Sequence, residues 1–122
     1  MLQLISWILF SAFEGIREGG SFSHGNSKYP FNIHEFFIPV RVLFAIILCF
    51  WSGHIYDLPT YVLIFSFIHD GCYYQTRHYI DEPNVNFFSE SKESTAKFEF
   101  NLKWRLSFFI LGLLIYFGIR LI

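Results

Sequence analysis

Apolar positions run through four long stretches of the chain: "LQLISWILFSAF", "FFIPVRVLFAIILCFW", "LPTYVLIFSFI" and "LSFFILGLLIYFGI". A helix on the surface of a soluble protein is apolar along one stripe only. These stretches are apolar all round, so each reads as a membrane-spanning helix. The predicted spans cover about 2–18, 35–53, 58–78 and 105–122. At about 1.5 Å per residue each reaches about 26 to 31 Å, roughly a hydrocarbon core. The fold expected is all-α, an integral membrane four-helix bundle forming a single domain over residues 1–122. A soluble bundle of four such helices has no polar outer face left to offer water.

The residues between the stretches support these boundaries. In "HIYDLPTY" Asp57 is placed to cap the third helix, with Pro59 in its first turn. The short turn from Gly53 to Asp57 makes the second and third helices antiparallel neighbours. Pro39 falls early in the second helix, where a missing N–H costs little. Gly15 and Gly19 form a small-xxx-small pair that invites close approach of another backbone, and Gly71 offers a similar notch. Near the end of the second long loop Phe98, Phe100, Leu102 and Trp104 alternate with Lys97, Glu99, Asn101 and Lys103. That period of two suggests a short strand or an interfacial segment, unless Asn101 instead caps the fourth helix.

Composition agrees with the pattern: of 122 residues, 53% are hydrophobic, 17 are Phe and only 16% are charged. A net charge of -1 holds no reservoir of cations for phosphates, so nucleic acid is not an expected partner. The cations that exist are unevenly placed. Arg17, Lys28, Arg41, Arg77, Lys92, Lys97, Lys103 and Arg105 fall on the side of the two long loops, and Arg120 alone falls on the other. The positive-inside rule then places both long loops in the cytoplasm and both termini outside. Trp51, Tyr56 and Tyr61 at one end, and Tyr79 and Trp104 at the other, sit where interfacial aromatic residues belong.

Depth along the helices brings polar residues together. Measured from the outer end, Glu14 lies about 20 Å in, Arg41 and Asp70 about 18 Å and His69 about 17 Å. Glu18, Tyr73, Tyr74 and Arg77 form a second layer about 5 to 10 Å nearer the loops. The polar cluster expected is therefore Glu14, Glu18, Arg41, His69, Asp70, Tyr73 and Arg77. Facing lipid, each charge costs roughly 2.5 to 3.5 kcal/mol, so pairing is favoured: Glu14 with Arg41, and Asp70 or Glu18 with Arg77. The fourth helix brings only Phe109 to Leu111 to this depth.

Three kinds of chemistry suit such a cluster. Glu14, Glu18, His69 and Asp70 are candidate ligands for a transition metal, with His78, His34 or His24 as extra donors. The pattern departs from the Glu-x-x-His pairs of di-iron bundles, and adjacent residues such as His69 and Asp70 diverge by about 100° on a helix. Intramembrane carboxylates beside a histidine also suit proton or ion movement, but "AIILCFW" leaves the outer half of the second span without polar groups, so conduction calls for an oligomer. The third reading is a structural membrane component that binds lipid bilayer and a protein partner, or a second copy of itself, and is not an enzyme. Cys49 and Cys72 lie about 6 Å and 21 Å from the outer end, too far apart for a disulfide.

The segments "FIHDGCYYQTRHYID" and "STAKFEFNLKWRLSFFILGLL" resemble short polytopic membrane proteins of Bacteroidetes bacteria and their phages. The resemblance covers the C-terminal half. It implies a membrane location, which in a phage is a virion membrane or a role in lysis, and it carries no activity and no residue role.

Overall fold

The computed structural model describes residues 1–23, 33–89 and 101–122, with the side chains of residues 22, 23 and 33–35 excepted. Four helices pack as a bundle: α1 (Leu2–Ser23), α2 (Ile33–Ser52), α3 (Leu58–Ile80) and α4 (Leu102–Leu121). A 3-10 turn, Ile55–Asp57, joins α2 to α3 after Gly53, whose φ of 73° lies in the left-handed region that glycine adopts freely. Lys28, Lys92, the stretch from Lys97 to Phe100, His24 and the side chain of His34 lie outside the described residues.

Helical hydrogen bonding outruns the apolar stretches. α1 continues to Ser23 and α3 to Ile80, while α2 begins at Ile33 and α4 at Leu102. Hydropathy marks where a helix is greasy; backbone bonding persists as long as nothing breaks it. Because α2 starts early, Pro39 stands inside the helix beyond its first turn and removes one intrahelical bond. Asn101 caps α4, its side chain accepting from the Trp104 N–H at 3.0 Å. Of the four helices, α4 alone is long and apolar enough by length and composition to cross a membrane. The apolar part of α2, Phe36–Ser52, is shorter, and α1 and α3 are diluted by Glu14, Arg17, Glu18, His69, Asp70 and Arg77.

α3 is the central helix. α1 runs parallel to it in a fixed register: Trp7 Nε1 donates to the Tyr61 carbonyl at 2.8 Å across 54 residues, and the same offset sets Gly15 against His69 and Gly19 against Tyr73. A Cβ on Gly15 would lie 2.2 Å from the His69 carbonyl oxygen, and one on Gly19 would lie 2.8 Å from that of Tyr73. The two glycines are therefore what lets the backbones touch. α4 packs antiparallel on another face of α3, where Gly112 lies against Ile64, Leu63 and the Thr60 carbonyl. Gly71 receives the ring of Phe87 from the segment after α3.

The apolar core occupies the half of the bundle away from the long loops: Leu4 and Trp7 of α1, Ala45, Leu48 and Cys49 of α2, Tyr61 and Ile64 of α3 and Tyr116 of α4. Outward-facing positions are apolar too. Leu9 and Phe13 on α1, Leu43 and Phe50 on α2, Val62 on α3 and Ile110 and Leu114 on α4 are all exposed, whereas Glu14, Glu18, Asp57, His69, Arg77 and Arg105 are buried. This inverts the usual distribution of soluble proteins.

Replacing Gly15 by Val forces the α1 and α3 backbones apart and is expected to cost at least about 1 to 3 kcal/mol, the range for overpacking. Gly20→Ala meets nothing within 4 Å and is expected to be neutral or to gain up to about 1 kcal/mol of helix propensity. Thermal unfolding in detergent followed by circular dichroism measures both, and equal effects of the two substitutions refute the close-approach account.

Candidate functional site

The close approach of α1 to α3 carries Glu14 and Glu18, one turn apart on α1, toward His69. Glu18 Oε2 lies 3.2 Å from His69 Nε2, and the opposite ring nitrogen, Nδ1, lies 2.9 Å from Asp70 Oδ1. The imidazole thus stands between two carboxylates. Arg41 enters from α2: its Nε and Nη2 donate to Glu14 Oε2, each at 3.4 Å, and Nη2 also donates to Glu18 Oε1. Arg17 closes the group from α1, Nε donating to Glu14 Oε1 at 3.1 Å and Nη2 to Oε2 at 3.3 Å. Both guanidinium planes rest on aromatic rings, Arg17 on Phe37 at 3.8 Å and Arg41 on Phe65 at 4.9 Å.

Five of the seven residues anticipated for the cluster come together: Glu14, Glu18, Arg41, His69 and Asp70. Tyr73 and Arg77 belong to a further group at the C-terminal end of α3. There Arg77 donates to Asp81 at 2.8 and 3.0 Å, to Glu82, and through Nη1 to the Tyr73 hydroxyl at 3.1 Å. Where a pairing with Asp70 or Glu18 was expected, Arg77 reaches Asp81 and Glu82. Asp81 lies one turn from Arg77 on the same helix face, and Glu18 already faces Arg17, Arg41 and His69. Arg17 was absent from the anticipated cluster although its spacing of three from Glu14 marks a neighbour on one helix face.

A second buried ionic group lies at the opposite end and was not anticipated. Asp57 is fully buried and accepts two hydrogen bonds from Arg120, Nη1 at 2.9 Å and Nη2 at 2.8 Å. The guanidinium carbon sits 3.4 Å over the Tyr116 ring, and Thr60 Oγ1 donates to the Gly112 carbonyl at 3.3 Å nearby. The cap expected from Asp57 is therefore replaced: its side chain makes no cap hydrogen bond to α3 and holds α4 instead. The signal was present in the sequence, since Arg120 and Asp57 are the only opposite charges assigned to that end.

Between the two ionic groups stands a layer of rings. Phe65 stacks on His69 with centroids 4.8 Å apart, and Trp7 packs against Phe65, Phe10, Phe44 and Tyr61 at 5.8, 5.5, 6.1 and 5.3 Å. Among the described residues no group of three or more His, Cys, Asp and Glu is arranged to hold a metal ion, Glu14, Glu18, His69 and Asp70 included. Cys49 and Cys72 are free thiols. No family model matches the chain, and no curated protein or solved structure matches it either.

Arg41 is the cation that ties α2 to both glutamates, with a side chain only 14% exposed. Arg41→Met is expected to cost about 3 kcal/mol, because it takes from two buried carboxylates the more buried of their two arginines and leaves them to Arg17 and His69. Arg17→Met, at a side chain 28% exposed and with Arg41 still in place, is expected to cost under about 1 kcal/mol. Chemical denaturation of the two variants in one detergent separates them; an Arg17 effect as large as that of Arg41 contradicts this ranking.

Proposed function

We propose that the chain is a small multi-pass membrane protein with a structural, partner-binding role, its two long loops on the cytoplasmic side and both termini outside. The observation that carries this reading is the inverted distribution: Glu14, Glu18, Asp57, His69 and Arg77 lie inside while exposed Leu, Ile, Val and Phe cover the outer faces of α1, α2 and α4, with Val62 and Ile80 exposed on α3. Contiguous exposed apolar surface on soluble monomers rarely exceeds a few hundred Å². The helices have 22, 20, 23 and 20 residues, so each extends about 30 to 35 Å, enough to cross a hydrocarbon core. Lys103 and Trp104 at the start of α4, with Tyr79 at the end of α3, suit a headgroup interface.

A structural role is favoured over conduction by two features of the interior. Each acid of the central cluster faces an arginine or the imidazole, which suits a device that fixes helix packing. The ring layer of Trp7, Phe10, Phe44 and Phe65 offers no side-chain relay for a proton between His69 and the Asp57–Arg120 pair.

Two measurements test the reading. In a chain with Cys49 and Cys72 replaced by Ser, single cysteines at Phe13, Leu43, Val62 and Leu114 are expected to resist a membrane-impermeant thiol reagent in intact membranes and to react after detergent is added. Rapid labelling of Phe13→Cys or Val62→Cys in intact membranes overturns the multi-pass reading. Proteoliposomes are expected to show no proton flux above empty vesicles from pH 5 to pH 8, and a flux abolished by Asp70→Asn overturns the structural role.

A further inference from the structure

The chain turns back as soon as α3 ends. The N–H groups of Asp81 and Glu82 both donate to the Arg77 carbonyl, at 3.0 and 2.8 Å, and the Arg77 guanidinium holds the two side chains. From there the segment returns along α3 rather than leaving it. The Phe87 ring fills the notch at Gly71 and meets Phe67 edge-on, centroids 5.4 Å apart, while Phe67 packs in turn on Phe109 of α4 at 4.8 Å. Gly71 lies nine residues before the end of α3, about 13 Å along its axis.

The main chain of the returning segment is sealed. Every N–H from Val85 to Ser89 has an acceptor in the protein. Val85 donates to the Glu82 carbonyl at 3.1 Å, Asn86 to the Ser89 hydroxyl at 2.8 Å and Phe87 to Gln75 Oε1 at 3.1 Å. Phe88 donates to Asn86 Oδ1 and Ser89 to the Asn86 carbonyl, both at 2.9 Å. The Ser89 carbonyl accepts from Arg105 Nη2 at 2.8 Å. A loop in water can leave such groups to the solvent, whereas non-helical backbone at membrane depth is tolerated only where protein groups or enclosed water take up its bonds. Gln75 and Arg105 stand on two different helices, and both bond the main chain of this one segment. Phe87 turns inward, and Phe88 beside it is 61% exposed. An outward Phe ring on sealed backbone suits an apolar surrounding.

We propose that residues 83–89 form a re-entrant wedge that dips from the loop side into the membrane against α3 and α4, with Phe88 on lipid acyl chains and with Gln75 and Arg105 as its pins. The proposal rests on the membrane reading above. It gives the protein a lipid-contacting surface outside the four helices. It also accounts for a guanidinium only 1% exposed near the start of α4, since Arg105 supplies the donor that a submerged carbonyl requires.

Thiol labelling tests this. The intact chain, with Cys49 and Cys72 replaced by Ser, carries a single cysteine at Asn84 or Phe88 in vesicles opened by freeze–thaw, so that an impermeant reagent reaches both faces. Asn84→Cys, at an exposed position near the turn, is expected to label rapidly and Phe88→Cys at least about tenfold more slowly, with detergent bringing the two rates together. Removing a pin leaves a main-chain group unmet, so Gln75→Leu or Arg105→Met is expected to speed labelling of Phe88→Cys in vesicles about tenfold. Gln75→Leu serves if Arg105→Met does not fold. Three outcomes overturn the proposal: equal rates for Asn84→Cys and Phe88→Cys in vesicles, slow labelling of Phe88→Cys in detergent as well, which means that the chain itself covers it, or no change with either pin removed. Rapid labelling of Phe88→Cys while Phe13→Cys and Val62→Cys stay protected refutes the wedge alone, whereas rapid labelling of all three refutes the membrane reading.

Discussion

Two helices can lie at backbone contact only where no Cβ stands between them, and in this bundle that condition is met on α1 by Gly15 and Gly19 against the carbonyls of His69 and Tyr73. The contact sets a parallel register that repeats at Trp7 and Tyr61, where an indole N–H finds a carbonyl that helical bonding leaves open to a second donor. The same register decides the chemistry of the interior. Glu18 stands one residue before Gly19, so the approach that Gly19 permits also delivers the carboxylate to the His69 imidazole.

The remaining helices are tied to this pair by charge as well as by packing. α2 shares the apolar core through Ala45, Leu48 and Cys49, and in the loop-side half it is held through Arg41 on Glu14 and Glu18. α4 is held at its far end by Arg120 on Asp57, with Gly112 allowing close packing midway. Buried ion pairs contribute little net stability, because desolvation offsets most of the attraction. Their value here is discrimination: a helix that slides by one turn, or pairs with the wrong neighbour, strands a charge.

How much of this could be read from the sequence follows from what one-dimensional spacing contains. Apolar runs locate helices, and rise per residue gives the height of each side chain along the bundle, which is why Glu14, Arg41, His69 and Asp70 could be grouped before any coordinates. Spacings of four also expose shared faces, hence the glycine notch. Height says nothing of the direction around the helix axis. Tyr73 and Arg77 share the depth of Glu18 yet belong to a local group with Asp81 and Glu82, and Asp57 resembles a cap until Arg120 is seen across from it. Helices run past the expected spans for a related reason, since hydropathy falls where polar residues begin while α1 carries on for five residues and α3 for two.

The placement of the polar groups also bears on what kind of protein this is. Had the acids and cations formed one continuous column from end to end, a path for ions would follow naturally. Rings of Trp7, Phe10, Phe44 and Phe65 instead stand between the Glu14–Arg41–His69 cluster and the Asp57–Arg120 pair, while Arg77 with Asp81 and Glu82 lies at the loop-side end. That arrangement gives each end of the bundle its own lock, with an apolar ring layer beside the central cluster where electrostatic contacts are stronger than in water. Arg105 stands apart from these groups, its guanidinium donating to the Ser89 carbonyl and lying against the Tyr74 ring.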